Sequence, residues 1–208
     1  MTSSRRQFVA TAIVAAGAGL ACVPSTPALA AATMTVTPDD MAMGNPRAKI
    51  TMIEYASASC PHCAHFNNEV FPAFKAKYID TGKVHYVFRE FLTSPAEVAA
   101  ASFLVARCAG KDKYFSVLDT IFRGQDDMYK SGDIKGALLK AAKQAGLSDA
   151  QFDACLTNEA AGDALSARVQ RYAKEDGINV TPTFFINGKK IEGAQTLAQL
   201  DAAIAAAR

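Results

Sequence analysis

The sequence predicts an α/β protein: one mixed sheet covered by helices, with an all-helical segment inserted in the middle of the chain. Three observations carry that expectation. Apolar, β-branched runs of strand length stand near both ends of the 208-residue chain. Between them, from Pro95 to about Asp176, Ala, Leu, Lys and Gln recur at helical periodicity. Two cysteines in the pattern Cys60-Pro61-His62-Cys63 mark the junction where an early strand gives way to a helix. A βαβ crossover followed later by a hairpin yields a single mixed sheet.

Taken in order, residues 33–36 predict a short first strand, and Gly44-Asn45-Pro46 a turn. Residues 48–56 form the central strand, rich in β-branched and apolar side chains. Residues 61–78 read as a helix with Pro61 in its first turn, where a missing N–H is no loss. Phe66, Val70, Phe71, Phe74 and Tyr78 give it a buried face, and Pro72 inside the run predicts a kink. Thr81-Gly82 is a turn, and residues 83–91 are a second long strand. Glycines 110, 124, 132, 146 and 162 break the helical stretch into four or five segments, with a capping box at Ser148 to Gln151. Residues 180–186 form a strand led by Pro182, Asn187-Gly188 a hairpin turn, and residues 189–193 the returning strand. A helix over 196–207 closes the chain.

Composition excludes several functions. Half of the residues are hydrophobic, which suits a packed core in one domain or two small ones. Residues 1–32 read as an export signal, with Ser4-Arg5-Arg6-Gln7-Phe8 ahead of an Ala- and Gly-rich apolar stretch. The paired arginines resemble a twin-arginine signal, and they also fit the general secretory route. Ala28-Leu29-Ala30 and Ala30-Ala31-Ala32 both fit a small-x-small cleavage pattern. Gly19-Leu20-Ala21-Cys22 is a weak lipobox, so a lipid-anchored form at Cys22 is the alternative. Of 22 Lys and Arg and 20 Asp and Glu, removal of Arg5 and Arg6 leaves 20 of each sign. That balance, with no basic run, argues against nucleic acid or an anionic membrane as partner. After residue 32 no apolar run approaches the ~20 residues of a membrane helix.

Export gives the cysteines a redox meaning, because disulfides persist outside the cytoplasm. A helix N-terminus stabilises the first cysteine of a strand–CxxC–helix junction as thiolate, which points to thiol–disulfide exchange. Cys60 is the expected exposed nucleophile, helped by His62, and Cys63 the buried resolving thiol. The CxxC pair can close on itself, which leaves Cys108 with Cys155 as a structural bridge; two separate buried thiols are the alternative. Closing a loop of nearly fifty residues is worth about 3–4 kcal/mol in the chain-entropy picture. Glu54 interrupts an otherwise apolar strand six residues before Cys60, where a buried carboxylate is costly unless used. His65 and His85 read as solvated or structural. Cys108 and Cys155 are too isolated to complete a zinc site with the CxxC, so no metal and no cofactor beyond the redox-active dithiol is expected.

With these residues in place, the sequence resembles the DsbA family of exported thiol:disulfide oxidoreductases. Cys60-Pro61-His62-Cys63, the late Val180-Thr181-Pro182-Thr183-Phe184 loop and the helical stretch between them carry the likeness over nearly the whole chain after residue 32. The resemblance implies a thioredoxin-like fold whose core covers about 33–92 and 177–208, with a helical insertion over about 93–176. It implies a cis bond before Pro182, beside the dithiol, with the Thr181 backbone free to pair with an extended substrate segment. It places an acid at Glu54 beneath the dithiol as a proton relay to Cys63. The family's other acidic neighbour, on the active-site helix, has no counterpart here, since Asn67 and Asn68 stand in that region. Thr181 departs from the Val of some oxidases and matches isomerases of this fold.

The implied activity is oxidation of reduced or misoxidised exported polypeptides in the periplasm by a monomer. A quinone-linked membrane partner of the DsbB type is implied as reoxidant. DsbA itself combines a thiol pKa of ~3.5 with a potential of roughly −120 mV, against ~−270 mV for thioredoxin. A periplasmic disulfide isomerase or reductase, and a lipid-anchored peptide-binding surface protein, are the rival readings.

Overall fold

The computed structural model describes residues 34–207. Residues 1–32, expected to be an export signal with Cys22 inside it, lie outside the described residues, as do Thr33 and Arg208. Five strands form one sheet: β1 (Met41–Gly44), β2 (Ile50–Ala56), β3 (Val84–Glu90), β4 (Thr183–Ile186) and β5 (Lys189–Glu192). Their order is β1-β3-β2-β4-β5, so β2 is central. β2 and β3 are parallel; β1 on β3, β4 on β2 and β5 on β4 are antiparallel.

The first strand is not where the sequence suggests. Residues 34–36 pair with no strand; Met34 and Val36 pack on the smaller core, and the Thr35 carbonyl accepts the Arg89 guanidinium at 2.8 Å. The sheet edge is taken instead by Met41–Gly44. Gly44 ends it at φ +87, where an added Cβ would lie 2.7 Å from the Val84 carbonyl oxygen.

Residues 61–79 connect β2 to β3 as a helical run: α1 (Pro61–His65), a π-helical turn (Phe66–Val70), α2 (Phe71–Phe74) and a second π-helical turn (Lys75–Ile79). The distortion expected at Pro72 takes this form. A proline in a regular α-turn would clash with the carbonyl of Asn68, and the widened turn before it relieves that conflict.

Six helices, rather than four or five, lie between β3 and β4: α3 (Ala96–Cys108), α4 (Lys111–Arg123), α5 (Gln125–Ser131), α6 (Ile134–Gln144), α7 (Asp149–Leu156) and α8 (Glu159–Glu175). Gly162 sits inside α8; the break before it is made by Asn158, whose side chain accepts the Ala161 N–H. The capping box at Ser148 and Gln151 starts α7 as the sequence suggests. α3 and α7 are joined by the Cys108–Cys155 disulfide. α9 (Leu197–Ala206) closes the chain behind its own capping box at Thr196. At the hairpin, Asn187 and Gly188 take φ of 47° and 83°, and the Asn187 side chain accepts the Thr51 N–H. Among the described residues, no helix is long and apolar enough to cross a membrane.

The period of two along β2 divides the core. Ile50, Met52 and Ala56 join the larger cluster with Phe66, Phe74 and Phe184, while Ile53 and Tyr55 join a smaller one with Val87, Tyr172 and Phe185. Each such aromatic or aliphatic side chain contributes about 1.5–3 kcal/mol by burial.

Two buried ion clusters stitch these layers. Arg89 grips both oxygens of Asp40 at 2.9 and 3.0 Å and donates to Tyr55, which donates to Asp176 at 2.6 Å. Glu90 accepts from Arg107 at 2.6 Å, Tyr114 at 3.0 Å and Arg168 at 3.0 Å, tying β3 to α3, α4 and α8.

Candidate active site

Cys60 lies where β2 has ended and α1 begins. The backbone turns over 57–60, closed by the Cys60 N–H to the Ser57 carbonyl at 3.1 Å. Cys60 is the N-cap of α1 with φ −84° and ψ 122°, and its side chain makes no capping hydrogen bond. That leaves the first-turn N–H groups free to face sulfur. Ser57, Ser59 and Thr93 brace the turn: Ser59 donates to the Thr93 carbonyl at 2.8 Å, and the Thr93 N–H reaches the Ser57 hydroxyl at 3.1 Å.

The two cysteines are present as thiols. Cys60 is 7 % exposed and Cys63 1 %. The nucleophile expected to be exposed is thus largely enclosed, because Thr181 covers it: the thiol donates to the Thr181 carbonyl at 3.5 Å. Cys60 is still the outer of the pair, and His62 and Pro61 are exposed beside it. Thr181-Pro182 is a cis peptide bond, and both residues are buried.

Electrostatics separate the two thiols. The Cys60 pKa is lowered from 9.0 to about 5, first by a hydrogen bond from the Cys63 thiol, against desolvation. The Thr181 side chain and the backbone N–H groups of Cys63 and His62 add to the lowering. Among the described residues the buried Thr181 hydroxyl has no hydrogen-bond partner, which leaves it available as a donor toward the Cys60 thiolate. Cys63 is pushed well above 9.0 by desolvation, then by Cys60 and Glu54. Among these largest causes, His62 acts through its backbone N–H.

Glu54 stands beneath this pair on the larger-core face of β2, 3 % exposed. Its carboxyl accepts one hydrogen bond among the described residues, from the Tyr86 hydroxyl at 2.6 Å. Burial without a cation raises its pKa from 4.5 to about 8, opposed by the Tyr86 bond and reinforced by Cys60. Glu54 also lines a largely apolar cavity of about 310 Å³, walled by Phe66, Phe71 and Phe122.

The structure therefore gathers Pro61, His62, Thr181, Pro182 and Glu54 around Cys60 and Cys63. Cys108 and Cys155 bridge helices elsewhere, and His65 is exposed. Sequence reasoning missed Gln125, a buried side chain whose amide donates to the Ala58 carbonyl at 2.8 Å and the Cys60 carbonyl at 3.4 Å. Its one sequence signal is position, directly after Gly124 at a helix start. It also missed Tyr86, hidden in a strand that is largely buried on both faces. Among the described residues, no group of three or more His, Cys, Asp or Glu side chains is arranged to hold a metal ion.

A family profile described as thioredoxin matches residues 36–206. A Rickettsia typhi protein, provisionally named a protein-disulfide oxidoreductase, is 34% identical over 161 residues, 77% of this chain. This chain spans 59% of the length of that relative. The crystal structure of Wolbachia pipientis alpha-DsbA1 superposes with a TM-score of 0.76 at 30% identity, covering 83% of this chain and 92% of that one. A protein-disulfide isomerase from Novosphingobium aromaticivorans, at 23% identity and TM-score 0.69 over 80% of this chain and 96% of that one, shares the fold.

Proposed function

This chain belongs to the thioredoxin family and, within it, to the DsbA-type thiol:disulfide oxidoreductases, and on that premise we propose that it is an exported oxidase of polypeptide thiols. The observation that carries the reading is the split between the two cysteines: Cys60 lowered to about 5, Cys63 raised well above 9.0. A dithiol whose outer member is a stabilised thiolate favours its reduced form, so its disulfide is a strong oxidant.

In the oxidised protein, a substrate thiolate attacks Cys60 Sγ. The new bond is the mixed disulfide; the Cys60–Cys63 bond breaks and Cys63 leaves as thiolate. Cys63 takes a proton from Glu54, whose pKa near 8 lies below that of Cys63, so the transfer runs downhill. A second substrate thiolate then attacks the substrate sulfur of the mixed disulfide and releases Cys60 as thiolate. The substrate loses two electrons and two protons in forming its disulfide. The protein gains both electrons; of the two protons released, one restores Glu54 after its transfer to Cys63 and the other goes to solvent.

Thr181 and Pro182 hold the substrate segment by main-chain pairing, which reads little sequence and suits many polypeptides. Reduced or misoxidised exported polypeptides are the substrates, the periplasm the compartment, and a quinone-linked membrane protein of the DsbB type the reoxidant. The test mixes oxidised protein with a reduced, unfolded polypeptide carrying two thiols. The oxidase reading expects loss of two substrate thiols for each Cys60–Cys63 disulfide consumed. Untouched thiols, together with reshuffling of mispaired disulfides by the reduced protein, would replace it with the isomerase or reductase reading.

A further inference from the structure

The helices between β3 and β4 touch the dithiol segment through three polar contacts that the proposed chemistry does not use. Asn67, one turn past Cys63, donates to Asp119 Oδ1 at 3.0 Å. Asn68 donates to the Phe122 carbonyl at 3.2 Å. Gln125 donates to the Ala58 and Cys60 carbonyls at 2.8 and 3.4 Å. Asp119 and Phe122 lie three apart on α4 and Gln125 opens α5 just past Gly124, so the three contacts follow one another in a row along the chain. The Arg123 guanidinium holds the second oxygen of Asp119 at 2.8 Å, leaving the first for Asn67.

We infer that this row is a positioning clamp, by which Gln125 on one side and the Asn67-Asn68 pair on the other hold the 57–60 turn and α1 so that first-turn N–H groups aim at Cys60 Sγ. Rigid turn geometry is required because Cys60 has no side-chain cap of its own. Gln125 is 2 % exposed, and its amide takes the Ala58 carbonyl, which accepts no other hydrogen bond among the described residues. The Cys60 carbonyl already accepts the Ala64 N–H at 3.1 Å, so the second donor fixes the direction of the peptide that follows Cys60. That peptide leads directly to the N–H groups of His62 and Cys63, which contribute to stabilising the thiolate. Without Gln125 a buried carbonyl loses its partner, and the turn must rotate to find another. The clamp gives the inserted helices a part in tuning the dithiol. It also accounts for Asn67 and Asn68, which stand where the sequence offers no acid. Gln125 is a positioning residue, acting through Cys60.

This inference rests on the reading of Cys60 and Cys63 as a redox pair, and the test separates the two. In purified protein, thiolate absorbance against pH gives the Cys60 pKa, and equilibration with glutathione gives the potential. Gln125→Met keeps volume but removes the donor. It is expected to raise the Cys60 pKa by about one unit, a tenfold loss of thiolate stability, and to lower the potential by about 30 mV. The half-buried pair, as Asn67→Ala/Asn68→Ala, should move both in the same direction by about threefold, roughly 14 mV. Ser148→Ala removes a helix cap in the same helical region; it should lower the unfolding midpoint and leave both readings unchanged. A low wild-type Cys60 pKa that persists in a folded Gln125→Met protein overturns the clamp alone. If that variant fails to fold, the double Asn variant decides by the same criterion. A wild-type Cys60 that titrates near 9.0 overturns the redox reading and the clamp together.

Discussion

Glu54 and Glu90 stand on the same face of adjacent parallel strands, at neighbouring positions of register, and are buried to within 3 % and 1 %. Glu90 is met by two guanidinium groups and a tyrosine hydroxyl. Among the described residues, the Glu54 carboxyl is met by a tyrosine hydroxyl alone. A buried acid must be neutralised by a cation or by a proton. Glu90 takes the first course and joins β3 to three helices. Glu54 takes the second, which raises its pKa to about 8 and lets it give up or receive a proton near neutral pH. The lesson is that burial alone does not single out a candidate proton-transfer acid; burial without a cation does.

The largest effect should come from the structural member. Glu90→Leu leaves the half-buried Arg107 and Arg168 without their anion, at a cost of about 3 kcal/mol, the low end for a broken buried pair because both cations keep some contact with solvent. Urea unfolding would show the loss, while the Cys60 pKa should hold; a shifted Cys60 would mean the two acids are not separable. Glu54→Gln should act in the opposite direction. The folded-state pKa of Glu54 lies above its unfolded value of 4.5, so the folded protein loses stability as pH rises from there to about 8. At pH 7 the penalty is about 3 kcal/mol, and the neutral glutamine removes it. A Glu54→Gln protein no more stable than wild type at pH 7 would break the comparison.

The dithiol supplies a smaller, opposite slope. The Cys60 folded-state pKa of about 5 lies below its ordinary 9.0, so the reduced protein gains stability as pH rises above 5. Between pH 5 and 7 the gain is about 2 kcal/mol. Over that range it nearly cancels the loss from Glu54. Reduced protein should therefore hold nearly constant stability from pH 5 to 7, while oxidised protein, lacking the thiols, loses about 2–3 kcal/mol. Parallel pH profiles for the two redox forms would contradict the Cys60 assignment. Smallest is Tyr86→Phe, which removes the single hydrogen bond to Glu54 at a cost of about 1 kcal/mol. It should also raise the Glu54 pKa further, readable as a shift in the oxidised protein's pH profile.

Local pattern made much of this legible. The CxxC at a strand end, the Asn187-Gly188 hairpin, two strands flanking a helix and the Ser148 cap are each written in a few consecutive residues. Glu54 stood out because it breaks an apolar run. What escaped is non-local. Met41–Gly44 has weak strand character and is a strand because β3 offers it an edge. The Asp40–Arg89 pair spans 49 residues of sequence, and Gln125 reaches the Ala58 carbonyl across 67. Pro72 announced a distortion without saying that π-helical turns would absorb it. Asn158 outranked Gly162 as a helix boundary because a side-chain cap starts a helix, whereas one glycine inside it costs only about 1 kcal/mol.

The central claim is that a buried, uneven dithiol makes this protein an oxidant. Its most direct test is the Cys60–Cys63 reduction potential, read after equilibration with glutathione buffers and with Cys108–Cys155 intact. A value near −120 mV, the strongly oxidising end of the fold's range, is predicted. A value at or below roughly −200 mV, between glutaredoxin and thioredoxin, would contradict it.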